Sequence, residues 1–299
     1  MWDERGPLAR REHANISINI DPSALGGPAL HQVAMQADAR LALQDLLAAL
    51  PASRQETEPD WLPSLRRLRT AYDEGLVAMA SSANASSGDG PGTGPDNEPL
   101  PMHPAALAQA VGRALPSDAL VCYDGGHTSF WSNDLTPVLT VRTRYHDPGM
   151  SQLGFGRPYA LALQWLHPGK PVFNLTGDGS FGFTLQELDT ARRYALPVIN
   201  VIHNNAAWGI IRHGQRKQLD FEMGTSLAGT DYAAIARGFG CHGEVVTDVQ
   251  QIPAALQRAS GLPAVIDCRT RFVPHPASPA FASMNHYGWD ALTRKAGAG

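Results

Sequence analysis

The chain has 299 residues, 43% of them hydrophobic and 17% charged, and carries a formal net charge of −4. That is the composition of a globular chain long enough for one large α/β domain or two smaller ones. The weak negative charge offers no field to draw nucleic acid or anionic lipid, so neither nucleic acid nor a membrane is expected as a partner.

The opening, MWDERGPLARREHANISINI, lacks the apolar run of a signal peptide. No stretch approaches the roughly 18–20 apolar residues of a membrane span, and a cytoplasmic location is expected. Within that opening, NISINI (15–20) reads as a strand closed by Asp21-Pro22. ADARLALQDLLAAL and WLPSLRRLRTAYDEGL then read as helices. One strand and two helices make a poor domain, so 1–80 reads as the end of a domain whose beginning lies elsewhere. The Gly/Ser/Pro/Asn-rich stretch over 81–100 cannot bury enough apolar surface to fold and reads as a flexible linker.

A regular pattern follows over 101–275. HPAALAQAVGRAL, PYALALQWL, TLQELDTARRYA, DYAAIARGF and VQQIPAALQRA read as helices, and ALVCYD, PVFNLT, PVINVIH, GEVV and PAVIDC as strands. Strands apolar throughout, alternating with amphipathic helices, imply an α/β fold: a doubly wound parallel sheet with helices on both faces. Residues 276–299 read as a C-terminal tail.

Three cysteines, Cys122, Cys241 and Cys268, have no CxxC spacing and read as small buried hydrophobes. Gly238, Gly240 and Gly243 satisfy G-x-G-x-x-G, but a helix precedes them and a strand follows. A dinucleotide fingerprint needs the reverse order, so a helix end and turn explain these glycines.

LTGDGSFGF (175–183) is better placed for chemistry. It sits where a parallel strand delivers the chain to the carboxyl edge of the sheet, with Gly177 and Gly179 flanking Asp178 and allowing a sharp turn. TLQE, Thr184 to Glu187, has the pattern of a capping box for the next helix. A free helix N-terminus suits a phosphate, a neighbouring carboxylate repels one, and a divalent cation between them resolves the conflict. Magnesium takes oxygen ligands and shares its sphere with substrate phosphates. A second oxygen ligand stands at HNNAAWG, where Asn205 lies 27 residues after Asp178, the span of one right-handed β-α-β unit. The side chain of Asn205 and the main-chain carbonyl of Ala207 complete a protein half-shell. Either site alone reads better as an ordinary turn; together, their separation and order reverse that preference and favour the metal.

At these residues the sequence resembles the thiamine diphosphate enzymes, whose cofactor motif is GDG followed by NN. PMHPAALAQAVGRALPSDALVCYDGGHT is similar to the opening of that family's diphosphate-binding domain, and GMSQLGFGRPYALAL to its segment beside the aminopyrimidine ring. ISINIDPSALGGPALHQVAMQADARLALQDLL is similar to the last strand and helix of its middle domain. GDGSFGFTLQELDTA and NNAAWG resemble most the acetolactate synthase and benzaldehyde lyase branch, and the likeness runs from about residue 15 to about residue 272.

The resemblance implies thiamine diphosphate and Mg2+ as cofactors, with the ion on Asp178, Asn205 and the Ala207 carbonyl. It places Gly126, His127, Thr128, Gly179 and Ser180 around the diphosphate, counts Gly177 among the cofactor-binding residues, and puts Leu153 under the folded cofactor. The main-chain groups of Ser151 and Leu153 then meet the aminopyrimidine, and Trp208, Ile210 and Ile211 line the substrate pocket. Gly214, where acetolactate synthases carry a large aromatic shortly after these positions, implies a roomier or differently shaped acceptor site. His203 and His213 are possible proton carriers, although a lone histidine is more often structural.

In this family a glutamate on a separate pyrimidine-binding domain activates the cofactor, and nothing before residue 15 encodes such a domain. The resemblance therefore implies a split enzyme: a carboligase, lyase or 2-oxoacid decarboxylase acting on a small carbonyl substrate. Such an enzyme works only with a pyrimidine-domain-bearing partner subunit, in a hetero-oligomer such as a heterotetramer. The rival reading is a non-catalytic regulatory or binding subunit that keeps the fold.

Overall fold

The structure is a computed structural model that describes residues 16–25, 33–50, 61–85, 101–136, 140–147 and 150–276. The described residues form two compact units divided between Ser64 and Leu65. In the smaller unit, β1 (Ile16–Asn19) pairs in parallel with β2 (Val33–Gln36), and α1 (Ala39–Ala49) follows. The turn after β1 is closed by side chains: Asn19 Oδ1 accepts the Asp21 amide and Asp21 Oδ1 accepts the Ser23 amide. Asp38 caps α1 by accepting the Leu41 amide at 3.1 Å.

The boundary falls near the start of α2 (Leu62–Ala85). The larger unit continues with α3 (Pro104–Ala114), β3 (Leu120–Asp124), α4 (His127–Leu135), β4 (Arg144–Tyr145), α5 (Gly156–Leu166) and β5 (Val172–Gly177). Next come α6 (Asp178–Phe183), α7 (Leu188–Arg193), β6 (Val198–Asn204), α8 (Gly209–Leu219), α9 (Tyr232–Gly238), β7 (His242–Val246), α10 (Ile252–Ala259) and β8 (Ala264–Arg269). The six strands β3 to β8 form one parallel sheet in the order β4-β3-β5-β6-β8-β7.

Because strand side chains alternate between faces, the sheet carries two cores. Val121, Phe173, Leu175, Ile199, Val201 and Ile266 pack with Leu107, Val111, Ile252 and Leu256 of α3 and α10. Leu120, Val172 and Val198 pack with Ala160, Leu161 and Leu163 of α5, and Ile202 and Val265 with Phe181, Leu188 and Tyr232. The chain leaves β3 towards edge strand β4, then returns to place β5 on the other side of β3. The carboxyl ends of β3 and β5 therefore flank a topological switch point, where a doubly wound sheet opens a crevice.

Several expectations are modified. α2 runs to Ala85, so residues 81–85, assigned to the linker, are helical. Leu76 and Ala80 of α2 are buried against Ala105, Ala108 and Trp131, and this packing carries the helix into a stretch of weak intrinsic preference. The rest of that linker, and 277–299 of the tail, lie outside the described residues.

TLQELDTARRYA resolves into a 3-10 turn (Leu185–Glu187) and α7, and its capping box does not form. The Thr184 hydroxyl donates instead to the Gly154 carbonyl at 2.9 Å, and Glu187 accepts from Thr190 at 2.7 Å. β2, α4, β4, α6 and α8 have no counterpart in the sequence reading, so the described part of 1–80 holds two strands and not one. α4 and α8 are rich in polar residues, β2 is four residues and β4 two residues long, and α6 lies within the glycine-rich turn after β5.

The three cysteines are free and buried, and the G-x-G-x-x-G motif is the turn from α9 to β7. A side chain on Gly243 would run into the backbone of Ala233, so glycine there allows helix and strand to touch. Among the described residues no helix is long and apolar enough to cross a membrane.

Candidate active site

A cavity of about 430 Å³ opens at the switch point of the larger unit. It is built by the turn from β3 into α4, the segment ahead of α5, the turn from β5 into α6, and the turn from β6 into α8. Gly126, His127 and Thr128 line it from the first, Ser151 and Leu153 from the second, and Gly177, Asp178, Gly179 and Ser180 from the third. Asn205, Ala207, Trp208, Ile210 and Ile211 complete it, so every residue assigned from the sequence to the cofactor, the metal or the substrate pocket lines it, as does His203, whereas His213 does not. Gly214 does not line the cavity and a Cβ there meets nothing within 4 Å, so it does not shape this space.

Asp178 is 3% exposed at the N-terminus of α6. Its Oδ1 accepts the Gly179 amide at 2.9 Å and its Oδ2 the Ala207 amide at 3.3 Å, which ties the β5 turn to the β6 turn. Burial outweighs these bonds and pushes the carboxyl up to about 6, the condition of an acid that lacks a cationic partner. Asn205, in the turn that wraps this carboxylate, buries its Oδ1 with no hydrogen-bond partner among the described residues. Ala207 forms an isolated bridge with Ser226. The two bonds of that bridge take the Ala206 carbonyl and the Trp208 amide, so neither uses the Ala207 carbonyl. A carboxylate, an orphaned amide oxygen and a peptide oxygen form a donor set suited to a hard divalent cation that shares its sphere with phosphates.

The glycine at 179 has a steric reason: a Cβ there would collide with the indole of Trp208. The backbone after Asp178 and the Trp208 ring are thereby in direct contact, with Phe183 5.8 Å from the same ring. Ser151 lies in the left-handed region (φ 51°) and donates its amide to the Asp147 carbonyl at 3.2 Å, so of its two main-chain groups the carbonyl is the one left for a ligand.

Three groups that the sequence reading did not assign hold this geometry. Asp124, the last residue of β3, accepts the Gly154 amide at 3.2 Å and the Gly156 amide at 3.0 Å, fastening the segment that carries Leu153. Burial raises its pKa, with bonds from those amides, the Gly125 amide and the Ser180 hydroxyl acting in the opposite direction. Tyr232 donates its hydroxyl to the Asp178 carbonyl at 2.9 Å. Asp267 accepts from Asn204 Nδ2 at 2.9 Å and from the Tyr232 amide at 3.0 Å, and so anchors the residue before Asn205. A carboxylate directly ahead of the double glycine in YDGGHT was the one available signal for Asp124; the other two are joined only through space.

Residues 124–268 match the family described as "Thiamine pyrophosphate enzyme, C-terminal TPP binding domain". This segment belongs to the thiamine diphosphate enzymes. The chain is similar to a probable acetolactate synthase from Mycobacterium bovis, with 34% identity over 174 residues, 57% of this chain and 32% of that protein. It is also similar to 2-hydroxyacyl-CoA lyase 2 from Caenorhabditis elegans, with 31% identity over 219 residues, 72% of this chain and 32% of the relative. The chain thus spans about a third of the length of these relatives.

The fold is that of the thiamine diphosphate-dependent 4-hydroxybenzoylformate decarboxylase of Rhodococcus jostii RHA1, with a TM-score of 0.64. Identity is 24%, and the match covers 87% of this chain and 44% of that one. The cofactor of this thiamine diphosphate-binding domain is accordingly thiamine diphosphate, and the unsatisfied Asn205 oxygen beside the Asp178 turn fits the metal-bridged diphosphate end of it.

Proposed function

We propose that this chain is the diphosphate- and magnesium-binding subunit of a two-subunit thiamine diphosphate enzyme. The reaction makes or breaks a carbon–carbon bond next to a carbonyl, as in acetolactate synthase-like carboligases, lyases and 2-oxoacid decarboxylases. The observation that carries the reading is the buried, unpartnered Oδ1 of Asn205 in the turn that wraps the Asp178 carboxylate, two oxygens that one hard cation satisfies together.

When bound, thiamine diphosphate would supply a nucleophilic thiazolium carbon for a carbonyl and a cationic ring to take up the electron pair left as the adjacent bond to carbon breaks. Asp178, Asn205 and the Ala207 carbonyl would hold the magnesium. Gly126, His127, Thr128, Gly179 and Ser180 would receive the diphosphate, and Leu153 would support the cofactor beyond it. Trp208, Ile210 and Ile211 line the pocket for the carbonyl substrate. Asp124 keeps Leu153 in place through the Gly154 and Gly156 amides.

Among the described residues that line the cavity the only carboxylates are Asp124 and Asp178, both already engaged, and no glutamate is present. This supports a partner subunit whose pyrimidine-binding domain brings the activating glutamate, in a hetero-oligomer such as a heterotetramer. The smaller unit adds support, since α1 leaves Leu41, Leu43 and Leu47 at least half exposed. Co-purification of the full chain with candidate pyrimidine-domain subunits, followed by magnesium- and cofactor-dependent turnover of 2-oxoacids, tests the reading. Turnover that arises only in the mixture is expected. Turnover by the chain alone, or by a partner already complete without it, overturns the split site.

A further inference from the structure

We propose that His203, outside the set assigned above, donates a ring N–H to the anionic oxygens of the diphosphate in this cavity. The inference rests on the reading of the cavity as a thiamine diphosphate site and adds a ligand-binding residue to it.

His203 is the penultimate residue of β6, lines the cavity and is 3% exposed. Neither ring nitrogen has a hydrogen-bond partner among the described residues. Every neutral imidazole carries one donor and one acceptor, so a fully buried ring with neither used is expected to face a polar ligand. Of the other two histidines that line the cavity, His146 has its Nδ1 2.9 Å from the Tyr123 carbonyl, and His127, assigned to the diphosphate above, is like His203 buried with neither ring nitrogen partnered among the described residues.

Register shows which way the ring looks. His203 pairs with Gly177 on one side and Cys268 on the other, and residues paired across strands share a face. A Cβ on Gly177 would stand 3.2 Å from Thr128 Oγ1, so this face looks towards the first turn of α4. Ile199 and Val201 precede His203 at the strand period and belong to the core on the α3 side. Gly177 leaves the ring uncovered on its inner flank. Cys268 does not serve as partner on the outer flank, since its thiol is directed at the Ile266 carbonyl, 3.8 Å away.

His203 thus stands between the Asp178 and Asn205 turns and the N-terminus of α4, the two features assigned to the metal and the diphosphate. An imidazole N–H adds a directional donor to that cradle, and a hydrogen bond to an ionised oxygen is stronger than one to a neutral acceptor.

The test titrates the full chain, labelled with 15N-histidine, with Mg2+ and inorganic diphosphate and then with Mg2+ and thiamine diphosphate. Long-range ring 15N–1H spectra are recorded, and the His203 signals are identified by their loss in His203→Gln. Binding is expected to shift the His203 ring nitrogens and to slow exchange of one ring proton. By calorimetry, His203→Leu should weaken binding about tenfold, and His203→Gln, which retains an N–H donor, by no more than about threefold. Should His203→Leu fail to fold, the ring shift and the Gln variant decide. Wild-type binding with unmoved His203 signals, or with equal affinity in the Leu variant, overturns the inference and leaves the cofactor reading intact. No binding of either magnesium complex by the wild-type chain overturns both.

Discussion

The Asp178 carboxylate accepts the Ala207 amide at 3.3 Å, so the turns that end β5 and β6 are locked to each other across the mouth of the crevice. This bond places Asn205 beside the same carboxylate before any ligand enters. The folded chain therefore carries a buried acid whose pKa is already raised, a cost that a divalent cation relieves.

Asp178→Asn removes that charge and retains an oxygen acceptor. Without ligand, the variant should melt close to the wild type, because relief of the buried charge is offset by the one backbone amide, of Gly179 or Ala207, that loses its acceptor. Its magnesium-dependent affinity for thiamine diphosphate should fall by at least about 10–100-fold, the loss typical even of residues that only support a metal ligand. Calorimetry on the assembled enzyme measures it, and unchanged affinity would refute the metal assignment.

Asp124 anchors the Leu153 segment through two charge-accepting bonds to backbone amides. Asp124→Ala leaves both amides buried without a partner and should cost about 2–3 kcal/mol in denaturant unfolding. Hydrogen exchange should accelerate at Gly154 and Gly156 ahead of the sheet. Protection that stays equal to the wild type would show that the segment is held by something else.

His103 supplies a pH dependence of known sign. It caps α3 by accepting the Ala105 amide at Nδ1, so it works only as a neutral ring, and burial with help from Arg271 pushes it down to about 4. The unfolded chain takes up this proton near pH 6.5 and the folded chain only near 4. Its stabilising effect is complete above about 6.5 and is lost as pH falls between those values, by up to about 3 kcal/mol. His103→Asn keeps a capping oxygen that does not titrate. The difference in stability between wild type and variant should shrink or reverse from pH 7 to pH 4, and a constant difference would count against the cap.

Arg157 lies at the N-terminal end of α5, 1% exposed, with its guanidinium 4.0 Å from the Phe181 ring centroid. None of its guanidinium nitrogens meets an acceptor among the described residues, and burial lowers its pKa to about 9. A charge held in this way costs more than its contact with the ring returns. Arg157→Met fills a similar volume without the charge and should raise stability by about 1–2 kcal/mol, read as a higher melting temperature. A lower one would mean that the guanidinium is paired in solution.

The order of strands and helices over 101–275 was open to reading along the chain because each buried strand is apolar throughout and each main helix has its own period. Asp178 and Asn205 were open to the same reading, since one β-α-β unit fixes both their separation and their common edge. α4 escaped it: HTSFWSNDL has no apolar stripe, and the helix is held by Trp131 packing under Leu76 and Ala80. The capping box was misread for a related reason. Thr184 had a local partner in prospect, but the Gly154 carbonyl, thirty residues away in sequence, offered its hydroxyl a better-placed acceptor.

Sequence alone established the α/β class, the parallel sheet and the edge at which ligands collect, because periodicity and β-α-β spacing are local properties of the chain. Folding in three dimensions added the rest: Asp124 gripping Gly154 and Gly156, Tyr232 bonded behind Asp178, and His203 buried without a partner beside Gly177. Those relations join residues far apart in the chain. They arise from the register of neighbouring strands and the crossing of the chain at β3 and β5, which no local pattern encodes.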